Sequence, residues 1–114
     1  MNDRIEQDWM AVCELDDIVP DTGVCALVNG SQVAVFHVAG DDDIVYAIDN
    51  FDPHSQAAVL SRGIVGSVGE RIVVASPIYK QHFDLRTGEC LEAPDQSVTA
   101  YRAKVAGGKV WIAA

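Results

Sequence analysis

No apolar run in the sequence approaches the 18 or more residues that a membrane-spanning helix requires. Bases are scarce as well. Eight Lys and Arg face 17 Asp and Glu, giving a net charge of -9, and a chain so charged is repelled by phosphate backbones and anionic bilayers. No nucleic acid and no membrane is therefore expected among its partners. Cysteine is limited to Cys13, Cys25 and Cys90, an odd number without C-x-x-C spacing, which argues against a disulfide framework or a thiolate zinc knuckle. They read as reduced, half-buried small hydrophobes. There is no G-x-S-x-G nucleophile elbow, no phosphate loop ending in Lys-Ser/Thr and no G-x-G-x-x-G after a strand. The glycines of Gly63-Ile64-Val65-Gly66-Ser67-Val68-Gly69 read instead as a pair of turns. The opening residues Met1 to Glu6 lack a basic region followed by an apolar stretch, so no secretory signal is read and a cytoplasmic location is expected.

What remains is an ordinary globular composition. The 114 residues, 49% hydrophobic and 22% charged, suffice for a single domain, 1–114, with one core. The charge is uneven: residues 1–61 carry only Arg4 against 12 acids, and residues 62–114 carry seven bases against five acids. Such a division can give opposed faces, one of them able to steer a basic partner.

Helical periodicity is almost absent, and short runs of Val, Ile, Tyr, Phe and Ala alternate with Gly, Asp, Asn and Pro. The pattern is all-β. Strands are predicted at Trp9 to Glu14, Val24 to Val28, Gln32 to Val38, Ile44 to Ile48, Arg71 to Ala75, His82 to Leu85, Thr99 to Val105 and Lys109 to Ala113. Eight short strands fit an antiparallel sandwich or barrel. Asn29-Gly30 and Gly107-Gly108 predict tight hairpins, and Gly88 in Arg86-Thr87-Gly88-Glu89 can supply the positive φ of a hairpin bulge. Gly40-Asp41-Asp42-Asp43 reads as a turn, because it lacks the alternating ligands and closing Glu of a calcium loop.

Two stretches do not alternate. Asp49 to Arg62 is long for a loop yet too apolar for disorder, so an ordered, packed loop is expected. Ser76-Pro77-Ile78-Tyr79-Lys80-Gln81 is the second. Among the histidines, His37 and His82 fall in strand patterns, His37 on the expected solvated face. His54 stands apart in Asp52-Pro53-His54, where proline fixes the backbone between two potential ligands.

These loops resemble those of Rieske [2Fe–2S] domains, in which one iron is bound by two Cys and the other by two His. The ligands there come as C-x-H in one loop and C-x-x-H in a second. The surrounding frame is similar here: Asn50 before the first box, Leu60 and Gly63 after it, Pro77 in the second, and Phe83-Asp84-Leu85-x-Thr87-Gly88 closing it. The ligand positions differ. The resemblance places Asp52 and His54 at the first Cys and His, and Ser76 and Tyr79 at the second, so that His54 alone is kept. It also sets Lys80 where the family usually has glycine. Since neither Asp52 nor Ser76 offers sulfur, and the three cysteines lie on other predicted strands or turns, no cluster is expected.

A narrower resemblance covers the departures as well as the frame. Asp52-Pro53 followed by Ser55, Leu60-Ser61-Arg62-Gly63-Ile64, Ser76 to Leu85, Thr87-Gly88 and Cys90-Leu91-Glu92 are similar to the small subunits of assimilatory NAD(P)H-dependent nitrite reductases. That resemblance implies a Rieske-like antiparallel β-sandwich or barrel with a smaller lobe formed by two loops. It implies a cytoplasmic accessory subunit, with no catalytic residue or cofactor of its own, in a complex that reduces nitrite to ammonium. FAD, sirohaem and an iron–sulfur centre are then expected on the large-subunit partner. Arg62, Tyr79 and Lys80 are the candidate docking residues, mixing an aromatic with cations as interface anchors do. Two alternatives stay open: a cluster-less Rieske-like adaptor of another oxidoreductase, and a redox protein holding a single metal ion by His54, Asp52 and Tyr79.

Overall fold

The computed structural model describes residues 9–39 and 44–113. Its main sheet has six strands: β1 (Trp9–Glu14), β2 (Thr22–Val28), β3 (Ser31–Val38), β4 (Ile44–Asp49), β10 (Ala100–Ala106) and β11 (Lys109–Ala113). They run antiparallel in the order β1-β11-β10-β4-β3-β2. The remaining strands build the lobe. A two-residue ladder joins β5 (Phe51–Asp52) to β6 (Ala57–Ala58), and a three-stranded sheet joins β7 (Ile64–Val68), β8 (Arg71–Ala75) and β9 (His82–Asp84) in that order.

Side chains on a strand alternate between faces, and β3 uses both. Val33 and Val35 point into a core with Ile18, Val28, Val45, Ala47, Val110 and Ile112. Residues of both outermost strands, Val12 and Cys13 of β1 and Val24 and Ala26 of β2, pack on that same core, so the sheet curls around it. Ala34 and Phe36 point the other way, into a second core with Ile48, Leu60, Val74, Phe83, Leu85 and Cys90. This second core fastens the lobe to the outer face of β3 and β4. Phe36 and Phe83 are fully buried in it, each contributing about 1.5–3 kcal/mol of apolar burial.

The turns follow their sequences. Asn29 (φ 51°) and Gly30 (φ 84°) are both left-handed, as are Gly107 and Gly108, matching the two-residue hairpin predicted at each place. The bounds of β1, β8 and β11 are those read from the sequence, and the other predicted strands shift by one or two residues. Three expectations are corrected. Gly63 to Gly69 is not a pair of turns, because Ile64–Val68 pairs with β8 in full register and only Gly69-Glu70 turns. His37 is buried rather than solvated, with its Nδ1 2.9 Å from the Ile18 carbonyl oxygen. The cysteines differ from one another: Cys13 is half-buried, Cys25 exposed and Cys90 buried. The predicted turn at Gly40 to Asp43 and the opening residues Met1 to Glu6 lie outside the described residues.

Candidate functional site

The first loop leaves β4 at Asp49, and Asn50 fixes it. The Asn50 side-chain amide donates to Gln32 Oε1 and to the Ala58 carbonyl, each at 3.2 Å, while its Oδ1 accepts from the Ser61 amide at 2.7 Å. One buried residue thus ties both ends of the loop, because the Leu60 amide also donates to the Asn50 backbone carbonyl at 3.0 Å. Between them β5 and β6 pair, and the Gln56 amide donates to the Asp52 carbonyl at 2.8 Å across the Pro53-His54-Ser55-Gln56 tip. Leu60 then enters the lobe core and Gly63 passes against β8. A Cβ on Gly63 would stand 2.3 Å from the Ala75 carbonyl oxygen, so only glycine admits this approach.

The second loop links β8 to β9. It closes through the Ser76 amide to the Gln81 carbonyl at 2.9 Å and the Lys80 amide to the Ser76 carbonyl at 3.1 Å, with Lys80 left-handed at φ 63°. Beyond β9 the chain turns at Arg86-Thr87-Gly88. Asp84 organises that turn: its Oδ1 accepts from the Arg86 and Thr87 amides at 2.7 and 3.1 Å, and its Oδ2 from Arg71 Nε at 2.7 Å. Burial pushes the Asp84 carboxyl up, but these donors and the Arg71 charge outweigh it and hold it below the usual range.

The loops meet at Asp52 and Ser76. Both are fully buried, and the Ser76 hydroxyl donates to Asp52 Oδ2 at 2.5 Å. The His54 amide donates to Asp52 Oδ1 at 2.9 Å. Burial again pushes the carboxyl up, yet the donors from Ser76, His54 and the Ser55 backbone hold its pKa below the ordinary value. The Ser55 hydroxyl, also buried, adds to the lowering of the Asp52 carboxyl although it meets no partner of strict hydrogen-bond geometry among the described residues.

His54, the third sequence-predicted position, turns away from that pair. Its Nε2 lies 3.4 Å from Cys90 Sγ, and its ring stands edge-on to Phe83 with centroids 6.1 Å apart. Cys90 reaches this place because it bridges to Phe83 across the Gly88 turn, which corrects the expectation that the thiols lie apart from the loops. Burial raises the Cys90 thiol, with the Glu92 and Asp52 carboxylates adding to the effect, so it stays protonated at neutral pH. Glu92 continues the chain of contacts, its Oε2 2.6 Å from His82 Nδ1. The fourth position, Tyr79, is 60% exposed, unlike the buried pair. Lys80 and Arg62 are exposed too. The structure therefore brings Asp52 and Ser76 together and leaves Arg62, Tyr79 and Lys80 at the surface.

This geometry bears on the two kinds of metal that the sequence raises. Asp52 and Ser76, which the resemblance sets at the cluster thiolates, carry oxygen, and each is engaged with the other. Among the described residues, no three of His, Cys, Asp and Glu group together in a way that could hold a metal ion. Cys90 and Asn50 are the side chains that sequence reasoning left without their roles. Counting outward from the Arg86-Thr87 pair matches residue 83 with residue 90, and that register would have brought Cys90 to the site.

Comparison with known proteins agrees with the fold. A model of the Rieske-like [2Fe-2S] domain matches residues 8–113. The nitrite reductase (NADH) small subunit of Salmonella typhimurium is 47% identical over 102 residues, covering 90% of this chain and 94% of that one. The solution structure of the nitrite reductase [NAD(P)H] small subunit of Erwinia carotovora superposes with a TM-score of 0.79 at 52% identity, covering 94% of this chain and 82% of that one. A nitrite reductase [NAD(P)H] large subunit of Klebsiella oxytoca is 43% identical over 104 residues, which are 91% of this chain but 11% of that protein. No described helix is long and apolar enough to cross a membrane. The chain belongs to the Rieske-like domain family and, within it, to the small subunits of NADH nitrite reductase.

Proposed function

We propose that the chain is a cluster-less accessory subunit of a cytoplasmic nitrite reductase, docking on a large subunit that reduces nitrite to ammonium with electrons from NAD(P)H. The observation that carries the reading is the buried Asp52–Ser76 hydrogen bond, which occupies the two positions where this family places cluster thiolates. A carboxylate and a hydroxyl cannot replace two thiolates on an iron–sulfur centre, so the residues present do not fit the cluster. The frame is retained while the electron relay is replaced by a polar fastening between the loops. The hydride chemistry, and with it FAD, sirohaem and an iron–sulfur centre, then belongs to the large subunit.

The Klebsiella relative supports the partnership, since there a segment similar to 91% of this chain lies within a protein that is itself a nitrite reductase large subunit. The loop tip bearing Tyr79 and Lys80, with Arg62 beside the first loop, is the docking edge in this reading. Its exposed aromatic and cations are uncompensated by any ion pair among the described residues.

The test measures iron and the visible spectrum of the purified chain, then titrates it with the large subunit. A colourless, iron-free protein that binds the large subunit and changes nitrite turnover establishes the reading. Stoichiometric iron with visible absorption overturns its cluster-less part, and absence of binding overturns the subunit part. Tyr79→Ala with Lys80→Ala should weaken the complex while the isolated chain stays folded; unchanged affinity removes the docking edge.

A further inference from the structure

The lobe covers the outer face of β3 and β4, but the outer face of β1, β11 and β10 has no covering layer among the described residues. The register shows what lies there. Trp9, Ala113 and Arg102 form one row across the three strands, and Ala11, Trp111 and Lys104 the next. Paired residues share a face, so two tryptophans and two cations are gathered on one patch. Lys104 Nζ lies 4.3 Å from the Trp9 ring centroid and Arg102 Cζ 5.3 Å from it.

Arg71 pairs with Asp84 and Glu89, and Lys109 with Glu14, whereas Arg102 and Lys104 meet no carboxylate among the described residues. That is unusual in a chain of net charge -9, where carboxylates outnumber bases and a cation on the surface readily finds one. Trp and Arg are the residue types most enriched at interface hot spots. The ring also fixes both cations over the patch before any partner arrives, which reduces the ordering cost of binding.

We infer that the outer face of β1, β11 and β10, with Trp9, Arg102, Lys104 and Trp111, is a second docking surface that receives a carboxylate-rich surface of the large subunit. The inference rests on the accessory-subunit reading for the identity of the partner and adds a contact distinct from the Tyr79–Lys80 edge. A net-negative chain is steered onto an acidic surface only through such a local cationic face.

The test uses the full chain and purified large subunit, with affinity measured by calorimetry over a series of salt concentrations. Two variants are compared, Arg102→Glu with Lys104→Glu, and Arg102→Gln with Lys104→Gln, each checked for folding by circular dichroism. The charge reversal should weaken binding at least tenfold at low salt, the neutral pair should weaken it less, and both should show a shallower salt dependence than the unsubstituted chain. Should the reversal not fold, the neutral pair carries the same reading alone. Unchanged affinity of the folded variants overturns the inference while leaving the accessory-subunit reading intact. Self-association of the isolated chain that the variants abolish also overturns it, by making a second copy the occupant. If the unsubstituted chain fails to bind the large subunit at all, the inference and the reading beneath it fall together.

Discussion

Asp52 accepts a hydrogen bond from the Ser76 hydroxyl across the junction of the two loops, a buried polar link between the two positions that the sequence resemblance sets at cluster thiolates. A hydrogen bond to a buried carboxylate contributes about 1.5–3 kcal/mol, and breaking it from one side also leaves the other group unsatisfied. Ser76→Ala should therefore destabilise the chain by about 2 kcal/mol in urea titration, and Asp52→Ala by at least as much. The double variant should cost less than the two singles added, with a coupling above about 1 kcal/mol. Additive losses would show that the pair does not join the loops.

The same carboxylate gives the fold a defined response to acid. Asp52 and Asp84 both have folded-state pKa values below the ordinary carboxyl value, because donors outweigh burial at each. A depressed folded pKa contributes stability that is fully present above the unfolded value, about 3.9 for aspartate, and is lost as pH falls through the folded one. Stability should hold steady from neutral pH to about 5 and then fall steeply below about 4. Asp52→Asn should flatten part of that fall, and an unchanged acid limb would remove Asp52 from its cause.

The thiols offer a readout of the lobe that needs no substitution. Cys25 is exposed, Cys13 half-buried and Cys90 buried against His54, and burial raises the thiols of Cys13 and Cys90. A thiol reagent added to the native protein should modify Cys25 first and Cys13 more slowly. Cys90 should react only on the timescale of lobe opening. Mass spectrometry of the labelled peptides checks the order. Early labelling of Cys90 would mean that the two loops part easily in the native state.

Particular residues show how far the sequence determined these features and where it stopped. Hairpins with Asn29-Gly30 and Gly107-Gly108 were legible because their φ demands are local. Strand β7 was not, since it lies at an edge of the lobe sheet, where Gly63, Gly66 and Gly69 break the apolar pattern without breaking the pairing to β8. His37 was misread for a tertiary reason. Alternation places polar residues outward only when one face of a strand is wet, and β3 is covered on both faces from Val33 to Phe36. The loop frame was visible as a resemblance, but the fastening of Asp52 to Ser76 and the approach of Cys90 to His54 depend on contacts 24 and 36 residues apart in the chain. No local pattern encodes those.

Two glycines in that frame carry steric requirements that substitution exposes. A Cβ on Gly63 would meet the Ala75 carbonyl oxygen at 2.3 Å, and one on Gly88, already at φ 82°, would meet the Val98 carbonyl oxygen at 2.0 Å. Both neighbours are backbone and cannot yield cheaply. Gly63→Ala and Gly88→Ala should each cost about 2 kcal/mol or more. Gly66→Ala, where nothing lies within 4 Å of the added atom, should change stability by less than about 0.5 kcal/mol. Equal melting temperatures for the Gly63 and Gly66 variants would contradict this account.

Lys80 presents the opposite case, a side chain at a position whose backbone favours none. At φ 63° it sits in the left-handed region, which costs a residue with a Cβ about 1 kcal/mol relative to glycine. The sequence resemblance sets Lys80 at a position where glycine is expected, and the exposed ammonium makes no ion pair among the described residues that would offset the strain. Lys80→Gly should therefore leave the isolated chain as stable or up to about 1 kcal/mol more stable, because relief of strain competes with the greater flexibility of the unfolded glycine. If the loop tip docks, the same variant should weaken binding to the large subunit. A gain in stability joined to a loss in affinity would show that lysine is kept at this position for the partner rather than for the fold. A loss of stability larger than about 1 kcal/mol would instead mean that its side chain supports the loop, and the docking role of Lys80 would lose its physical basis.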